Sequence, residues 1–223
     1  MPPCLTTDAS QAGSITLMAR HPVLLVHGID DTAALFRRMK PYLESSGLSV
    51  HTLNLVPNNG KVGLTELAKQ LDQYVRANFT AEQAIDIVGF SMGGLVSRYY
   101  IQRLGGIQRV RKFVTIATPH RGTWTGFLRS NPGGRDMRPG SAFLQDLNRD
   151  VEMLDGISFT SIWSPLDLMI VPANSSRVPA GRSISVWTPA HPLMVRDPQV
   201  LRLVLGILNN ASEAGLACGA TSR

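Results

Sequence analysis

The chain has 223 residues, of which 43% are hydrophobic and 17% are charged, and its formal net charge at pH 7 is +6. This length and composition fit one globular domain with a sizeable core, and the absence of a long apolar run excludes helical membrane spans. The five histidines are scattered and no Cys-x-x-Cys pair occurs, so we expect neither a metal site nor a cofactor.

The N-terminus and the two cysteines bear on the cellular compartment. Residues 1–19 lack a basic segment followed by an apolar one, so they are not typical of a secretory signal. We therefore expect a cytoplasmic protein, unless the natural protein carries a leader that this sequence lacks. Cys4 and Cys218 lie near opposite ends of the chain. The sequence leaves their pairing open, and two incidental thiols in a reducing compartment are the simpler interpretation.

Residues 1–83 predict an N-terminal arm followed by alternating strands and helices. The arm covers residues 1–21, and Asp31 is predicted to cap the first helix. The elements after the arm are a strand at 22–26, a helix with apolar positions at 35, 39 and 43, a strand at 49–55, and a helix with apolar positions at 64, 67, 71 and 75.

Residues 85–95 predict a buried strand, a sharp turn and a helix. The turn is Gly89-Phe90-Ser91-Met92-Gly93, a G-x-S-x-G motif, and the helical pattern ends at Gly105-Gly106. In a nucleophile elbow the flanking glycines avoid clashes in the strained turn, and the following helix N-terminus favours negative charge. Ser91 is therefore the candidate nucleophile. The alternative is a glycine-rich turn in an unrelated α/β protein.

The rest of the chain predicts three further strands and two further helices. The strands are expected at 110–117, 157–163 and 183–187, the helices at 141–150 and 195–208, an irregular loop at 124–140, and a flexible C-terminal tail at 211–223. Strands that alternate with helices predict an α/β fold, with a compact, mostly parallel sheet of about six strands and helices on both faces, in one domain at 22–210. Functional residues are expected at the carboxyl ends of these strands.

Positive charge is concentrated in residues 98–138, which hold nine Lys or Arg residues against one acid, Asp136. Aromatic residues do not alternate with this charge as they would on a nucleic-acid surface, so we expect no nucleic-acid partner. We favour a solvated basic surface over one that attracts an anionic interface or substrate. The members in or beside the loop after Thr118-Pro119 are Arg121, Arg129, Arg135 and Arg138.

A serine nucleophile requires a base, and the base requires an orienting acid. Only His120 and His191 follow Ser91 in the sequence. In proteins with a nucleophile elbow the triad follows the sequence order serine, acid, histidine. His120 comes too early for that order, whereas His191 follows the last strand, where the base belongs. Pro192 is expected to hold His191 in an extended loop.

Asp167 is the candidate acid because it follows the 157–163 strand in an apolar loop, where a buried carboxylate needs a partner. The other acids suit the role less well: Asp150, Glu152 and Asp155 lie near a helix end, Asp197 is placed to cap the last helix, and Asp86 begins the elbow strand.

An oxyanion hole requires two N–H donors. The backbone N–H of Met92 directly follows the nucleophile, and that of Ile29 lies in the loop after the first strand, where Gly28 allows close approach. His27 is interpreted as a structural histidine that bonds nearby backbone.

Three motifs resemble those of bacterial triacylglycerol lipases and related esterases of the α/β-hydrolase superfamily. They are His27-Gly28, Gly-Phe-Ser-Met-Gly-Gly at 89–94, and Thr-Pro-His-Arg-Gly-Thr at 118–123, while residues 160–172 look like the acid loop of small lipases without a lid. The resemblance implies a triad of Ser91, Asp167 and His191, with Ile29 and Met92 as oxyanion donors. The 122–150 segment is longer than in the smallest members of that family.

These observations predict a serine carboxylic-ester hydrolase, of lipase type, that needs no cofactor and acts on an acyl-ester small molecule or lipid. Acyl transfer or thioester cleavage would use the same residues, and a non-catalytic protein that binds an acyl ligand is the alternative from another class. Peripheral contact with a lipid interface is left open.

Overall fold

The computed structural model describes residues 20–210, which form a single parallel sheet covered by helices on both faces. The predicted C-terminal tail, both cysteines and all of the predicted arm except Arg20 and His21 lie outside the described residues. No helix in the described part of the chain is both long and apolar enough to cross a membrane.

The sheet has six strands in the spatial order β2-β1-β3-β4-β5-β6, and every neighbouring pair is parallel. The central strands are continuous apolar runs because helices cover both of their faces. The chain starts in β1 and then winds outward in both directions, which opens a crevice at the carboxyl ends of β1 and β3. The strands are Val23–Val26 (β1), Val50–Thr52 (β2), Ile85–Phe90 (β3), Val110–Ile116 (β4), Ser158–Trp163 (β5) and Arg182–Ser185 (β6).

Two apolar cores lie on the two sides of the sheet, and consecutive strand residues alternate between them. Leu24 and Ile87 belong to one core, whereas Leu25 and Val88 belong to the other. The first core packs α2, α3 and α5, and the second packs α1 and α6. The helices are Met39–Glu44 (α1), Leu64–Asn78 (α2), Met92–Arg103 (α3), Pro132–Asp136 (α4), Ala142–Arg149 (α5) and Pro198–Asn209 (α6). The predicted fold class is confirmed.

The first predicted helix is wrong in its start and its cap. A short 3₁₀ turn at Ala33–Phe36 precedes α1, and the hydroxyl of Thr32, not the carboxylate of Asp31, accepts the N–H of Ala34. The predicted second strand is also too long, since only Val50–Thr52 pairs with β1.

Two segments predicted to be irregular or extended contain helical turns. Residues 124–140 form a 3₁₀ turn at Trp124–Leu128 followed by α4. His191 begins a 3₁₀ turn that runs to Arg196, so the extended conformation expected from Pro192 is wrong. A proline in the first turn is tolerated because its missing N–H would have no partner there. Helix α6 accordingly begins at Pro198 rather than at 195.

The predicted solvated basic surface at 98–138 is wrong for several of its members. Arg98 is fully buried and donates to Gln102, Asn148 and the backbone of Leu147. Of the others, Arg103 pairs with Asp146 and Asp150, Lys112 is buried and donates to the Leu208 carbonyl, Arg109 donates to the Thr80 carbonyl, and Arg129 pairs with Asp30. Much of the charge therefore joins elements within the fold.

Candidate active site

Ser91 occupies the strained turn between β3 and α3. Its φ is 53° and its ψ is −123°, a conformation that non-glycine residues rarely adopt. A β-carbon at Gly93 would lie 2.3 Å from the Val26 carbonyl oxygen, and one at Gly89 would lie 2.6 Å from the α-carbon of Gly94. The predicted need for glycine on both sides of the serine is therefore confirmed, and the turn holds Ser91 at the carboxyl edge of the sheet.

Asp167 and His191 are brought together at that edge by the loops after β5 and β6. The Nδ1 atom of His191 lies 2.7 Å from Oδ2 of Asp167, and both side chains are largely buried. The other oxygen, Oδ1, accepts the backbone N–H groups of Met169 at 2.8 Å and Ile170 at 3.1 Å. Three donors therefore fix the carboxylate, and a proton on Nδ1 leaves Nε2 of the imidazole free to accept one.

Ser91 and His191 line the same cavity, and the imidazole packs against Phe90 with ring centroids 4.7 Å apart. Within residues 20–210 no direct hydrogen bond joins the two side chains. Hydrogen bonds between a nucleophile and its base are often long before substrate binds.

The backbone N–H groups of Ile29 and Met92 are available as donors, since neither has a hydrogen-bond partner within residues 20–210. Met92 is the first residue of α3, where N–H groups carry partial positive charge. The loop that holds Ile29 is anchored because the N–H of Asp30 donates to the Asn58 carbonyl at 2.8 Å. A β-carbon at Gly28 would lie 3.1 Å from the β-carbon of Ser91, so glycine allows this loop to approach the serine.

The cavity around Ser91 and His191 has a volume of about 500 Å³. One part of its wall is apolar and another is polar, an arrangement that is typical of small-molecule sites. The apolar lining residues are Ile29, Pro119, Leu128, Met137, Met169 and Ile170, and the polar ones are Asp30, Asp31, Thr123, Thr125 and Arg129.

The other buried histidines are held by structural hydrogen bonds. His27 uses both ring nitrogens: Nδ1 lies 2.8 Å from the Gly28 carbonyl oxygen, and Nε2 accepts the N–H of Leu55 at 2.9 Å. Nε2 of His120 lies 3.0 Å from the Thr115 hydroxyl. Burial lowers the pKa of both imidazoles, that of His120 well below its ordinary value. The predicted structural role of His27 is confirmed.

Three of the rejected acids have other partners. Asp150 pairs with Arg103, Asp155 accepts the N–H of Gly181, and Asp197 caps α6 by accepting the N–H of Gln199 at 2.7 Å. Asp86 lies at the opposite end of the sheet.

Sequence reasoning missed the contacts that join the 123–128 segment to the acid loop. The Thr123 hydroxyl donates to the Met169 carbonyl at 3.0 Å and accepts the N–H of Val171 at 2.9 Å. The Thr125 hydroxyl also donates to the Met169 carbonyl, at 2.7 Å. These threonines therefore help to hold the loop that carries Asp167, and only the hydroxyl-rich 118–125 stretch could have signalled this.

Exposed apolar side chains, here called the apolar rim, lie on these two joined segments and on the His191 turn, and two of them, Leu128 and Met169, also line the cavity. Its most exposed members are Leu128 at 85% and Leu168 at 81%. The rim residues are Trp124, Phe127, Leu128, Leu166, Leu168, Met169 and Leu193. No group of three or more potential metal ligands occurs within residues 20–210.

Sequence comparison matches residues 22–130 to the palmitoyl protein thioesterase family. The chain is 34% identical over 126 residues to a triacylglycerol lipase of Burkholderia plantarii, which covers 52% of this chain and 34% of the lipase. It is 35% identical over 113 residues to a triacylglycerol lipase of Pseudarthrobacter phenanthrenivorans, covering 47% of this chain and 34% of that protein. The matched region thus spans about a third of the length of these relatives.

Solved structures of lipases share the fold. The mature lipase BlEst2 of Bacillus licheniformis superposes with a TM-score of 0.69 at 14% identity, covering 86% of this chain and 93% of that one. Aspergillus fumigatus lipase B gives a TM-score of 0.74 at 18% identity, covering 90% and 57% of the two chains. The chain therefore shares the fold of these lipases, and over about half of its length it is similar in sequence to triacylglycerol lipases.

Proposed function

We propose that this chain is a serine carboxylic-ester hydrolase of lipase type, with Ser91, Asp167 and His191 as its triad. The observation that carries the proposal is the 2.7 Å contact between His191 and Asp167 in a site whose cavity also exposes Ser91 on its strained turn. Two triacylglycerol lipases among the relatives support the same chemistry.

In the first half of the reaction, Oγ of Ser91 attacks the ester carbonyl carbon while Nε2 of His191 takes the hydroxyl proton. The carbonyl electron pair moves onto oxygen, and the N–H groups of Ile29 and Met92 donate to the resulting oxyanion. The Asp167 carboxylate accepts a hydrogen bond from the Nδ1–H group and so stabilises the positive charge of the imidazolium. The tetrahedral intermediate then expels the alcohol oxygen, which receives the proton from His191, and leaves Ser91 acylated.

In the second half, water attacks the acyl carbon and gives a proton to His191. The same two N–H groups stabilise the second oxyanion, the bond to Oγ of Ser91 breaks, and the proton returns to the serine. The carboxylic acid product leaves, and the enzyme regains its starting protonation state.

The apolar rim supports contact with aggregated lipid as the way in which substrate reaches the cavity. Exposed leucines and aromatic rings on segments that also line the cavity mark an interaction surface, because exposure of such groups to water is unfavourable. Leu128 belongs both to the rim and to the cavity lining, so the two are continuous.

Thioester cleavage is the second candidate, favoured by the match of residues 22–130 to the palmitoyl protein thioesterase family. The steps are unchanged except that a thiolate leaves in place of an alkoxide. Parallel assays on an oxygen ester and a thioester with the same acyl chain separate the two: a higher kcat/KM on the thioester would favour the second candidate.

The proposed function is tested by hydrolysis of p-nitrophenyl butyrate by the wild type and Ser91→Ala. We expect turnover in the wild type and a loss of several orders of magnitude in the variant, with an unchanged circular dichroism spectrum. A wild type that binds acyl esters without turning any over would instead support the non-catalytic alternative.

A further inference from the structure

The carboxylate of Asp31 lies in the active-site cavity beside the nucleophile. Asp31 lines that cavity together with Ser91 and His191. Its Oδ2 atom and the β-carbon of Ser91 both lie 3.1 Å from the position that a Gly28 β-carbon would take. The carboxylate therefore faces the immediate surroundings of the serine.

Within residues 20–210 no hydrogen-bond donor or cationic side chain pairs with this carboxylate, although Asp31 is partly buried. The one hydrogen bond that Asp31 makes within the described chain uses its backbone carbonyl, which accepts from the side-chain amide of Asn58. Burial raises the pKa of Asp31, and the charges of His27, His191 and Arg196 oppose that effect at longer range. A carboxylate that receives no donor from the chain can accept one from a bound ligand.

The other acids of this region have partners. Asp30 pairs with Arg129, and three N–H groups donate to Asp167. The capping role that the sequence predicted for Asp31 belongs to Thr32. A structural role within the described chain therefore does not account for Asp31.

We propose that the carboxylate of Asp31 accepts a hydrogen bond from a hydroxyl group of the substrate, so that the enzyme prefers esters with a hydroxyl near the carbonyl carbon. The inference rests on the proposed ester hydrolysis. A hydroxyl suits the site better than an ammonium group, because Arg129 lines the same cavity and Arg196 lies near enough to act on Asp31. The hydroxyl belongs to either the alcohol or the acyl part of the ester.

Two matched substrate pairs test the proposal and separate these two sources. The alcohol pair is glycerol monobutyrate against propyl butyrate, and the acyl pair is ethyl 3-hydroxybutyrate against ethyl butyrate. Titration of the released acid at constant pH gives kcat and KM for the wild type, Asp31→Asn and Asp31→Leu. Asp72→Asn, which removes an α2 carboxylate that pairs with Arg76, is the matched control.

We expect the wild type to favour the hydroxylated member of at least one pair. In Asp31→Leu that preference in kcat/KM should fall at least about tenfold, because a hydrogen bond to a charged group is lost. Asp31→Asn keeps one acceptor oxygen, so its preference should lie between those of the wild type and Asp31→Leu. The preference of Asp72→Asn should match that of the wild type.

An unchanged preference in Asp31→Leu, or an equal loss on plain and hydroxylated esters, would overturn the role of Asp31 while leaving ester hydrolysis intact. If the leucine variant does not fold, as judged by its thermal unfolding, the isosteric Asp31→Asn decides by the same ratio. A wild type that hydrolyses none of the four esters would overturn the proposed function itself.

Discussion

The fully buried Arg98 offers a sharp test of the conclusion that the basic segment is structural. Its guanidinium lies between α3 and α5, with Nε 2.7 Å from Oε1 of Gln102 and Nη1 2.9 Å from Oδ1 of Asn148. Nη2 donates to the Leu147 carbonyl. Burial lowers the pKa of Arg98 to about 10, so the side chain remains charged at neutral pH.

Arg98→Met keeps the apolar stem but removes all three donors. The Leu147 carbonyl still accepts from Gln102, at 3.0 Å, so mainly the side-chain oxygens of Gln102 and Asn148 lose a donor. At about 1–3 kcal/mol for each acceptor left unpaired, we expect a loss of about 3 kcal/mol in the free energy of unfolding. For a protein of this size that corresponds to a fall of about 6–12 °C in Tm.

The assay is urea and thermal unfolding followed by circular dichroism, with Arg111→Met as the matched control. Arg111 belongs to the same basic segment but is exposed, so its replacement should change stability by less than about 0.5 kcal/mol. Equal effects of the two substitutions would refute the structural role of Arg98.

Three further predictions concern the acid, a buried carboxylate and the apolar rim. Asp167→Asn should keep the fold but lower kcat on p-nitrophenyl butyrate by about 10³–10⁴, since the imidazole loses its orienting anion; near-normal turnover would assign another acid. Burial raises the pKa of Asp86 to about 6, above its ordinary 3.8, so stability present below pH 4 is lost as the pH rises through 6. Relative to Asp86→Asn, the wild type should therefore lose up to about 3 kcal/mol between pH 4 and 7 in urea unfolding, and parallel pH profiles would contradict this. Replacing Leu168 and Leu193 with serine should weaken sedimentation with phosphatidylcholine vesicles without lowering kcat on a soluble short-chain ester, and unchanged sedimentation would argue against the rim.

The order of strands and helices could be predicted because apolar periodicity is a local property of the sequence. The elbow could be predicted for the same reason. Its two glycines are needed because a β-carbon at either position would clash with nearby backbone, as one at Gly93 would with the Val26 carbonyl. Asp167 could be selected because an acid in an apolar loop needs a partner. In the structure Nδ1 of His191 lies 2.7 Å from its Oδ2 atom.

The helical turns at 124–128 and 191–196 could not be predicted because distant contacts determine them. The first is held by threonine hydroxyls that reach the Met169 carbonyl on the acid loop, and no periodicity within either segment records that pairing. The choice of Thr32 over Asp31 as the cap could not be predicted either, because both residues are of a type that caps helices and they are adjacent.

The count of positive charges led to the wrong expectation of a solvated surface, because the sequence does not show which acids pair with each basic residue. The acids that pair with Arg103 lie more than 40 residues away, at Asp146 and Asp150, and Arg129 pairs with Asp30, which lies 99 residues earlier in the chain. A segment that is basic by composition is therefore partly neutralised in the folded chain.

The central proposal is that Ser91 forms a covalent acyl intermediate, and labelling with a serine-directed alkyl phosphonate tests it most directly. Intact mass spectrometry followed by peptide mapping should show one adduct per wild-type chain, located on Ser91, with loss of esterase activity in proportion to labelling. Ser91→Ala should acquire no adduct under the same conditions. An adduct that persists in Ser91→Ala, or that maps to another residue while activity is lost, would contradict the assignment of Ser91 as the nucleophile.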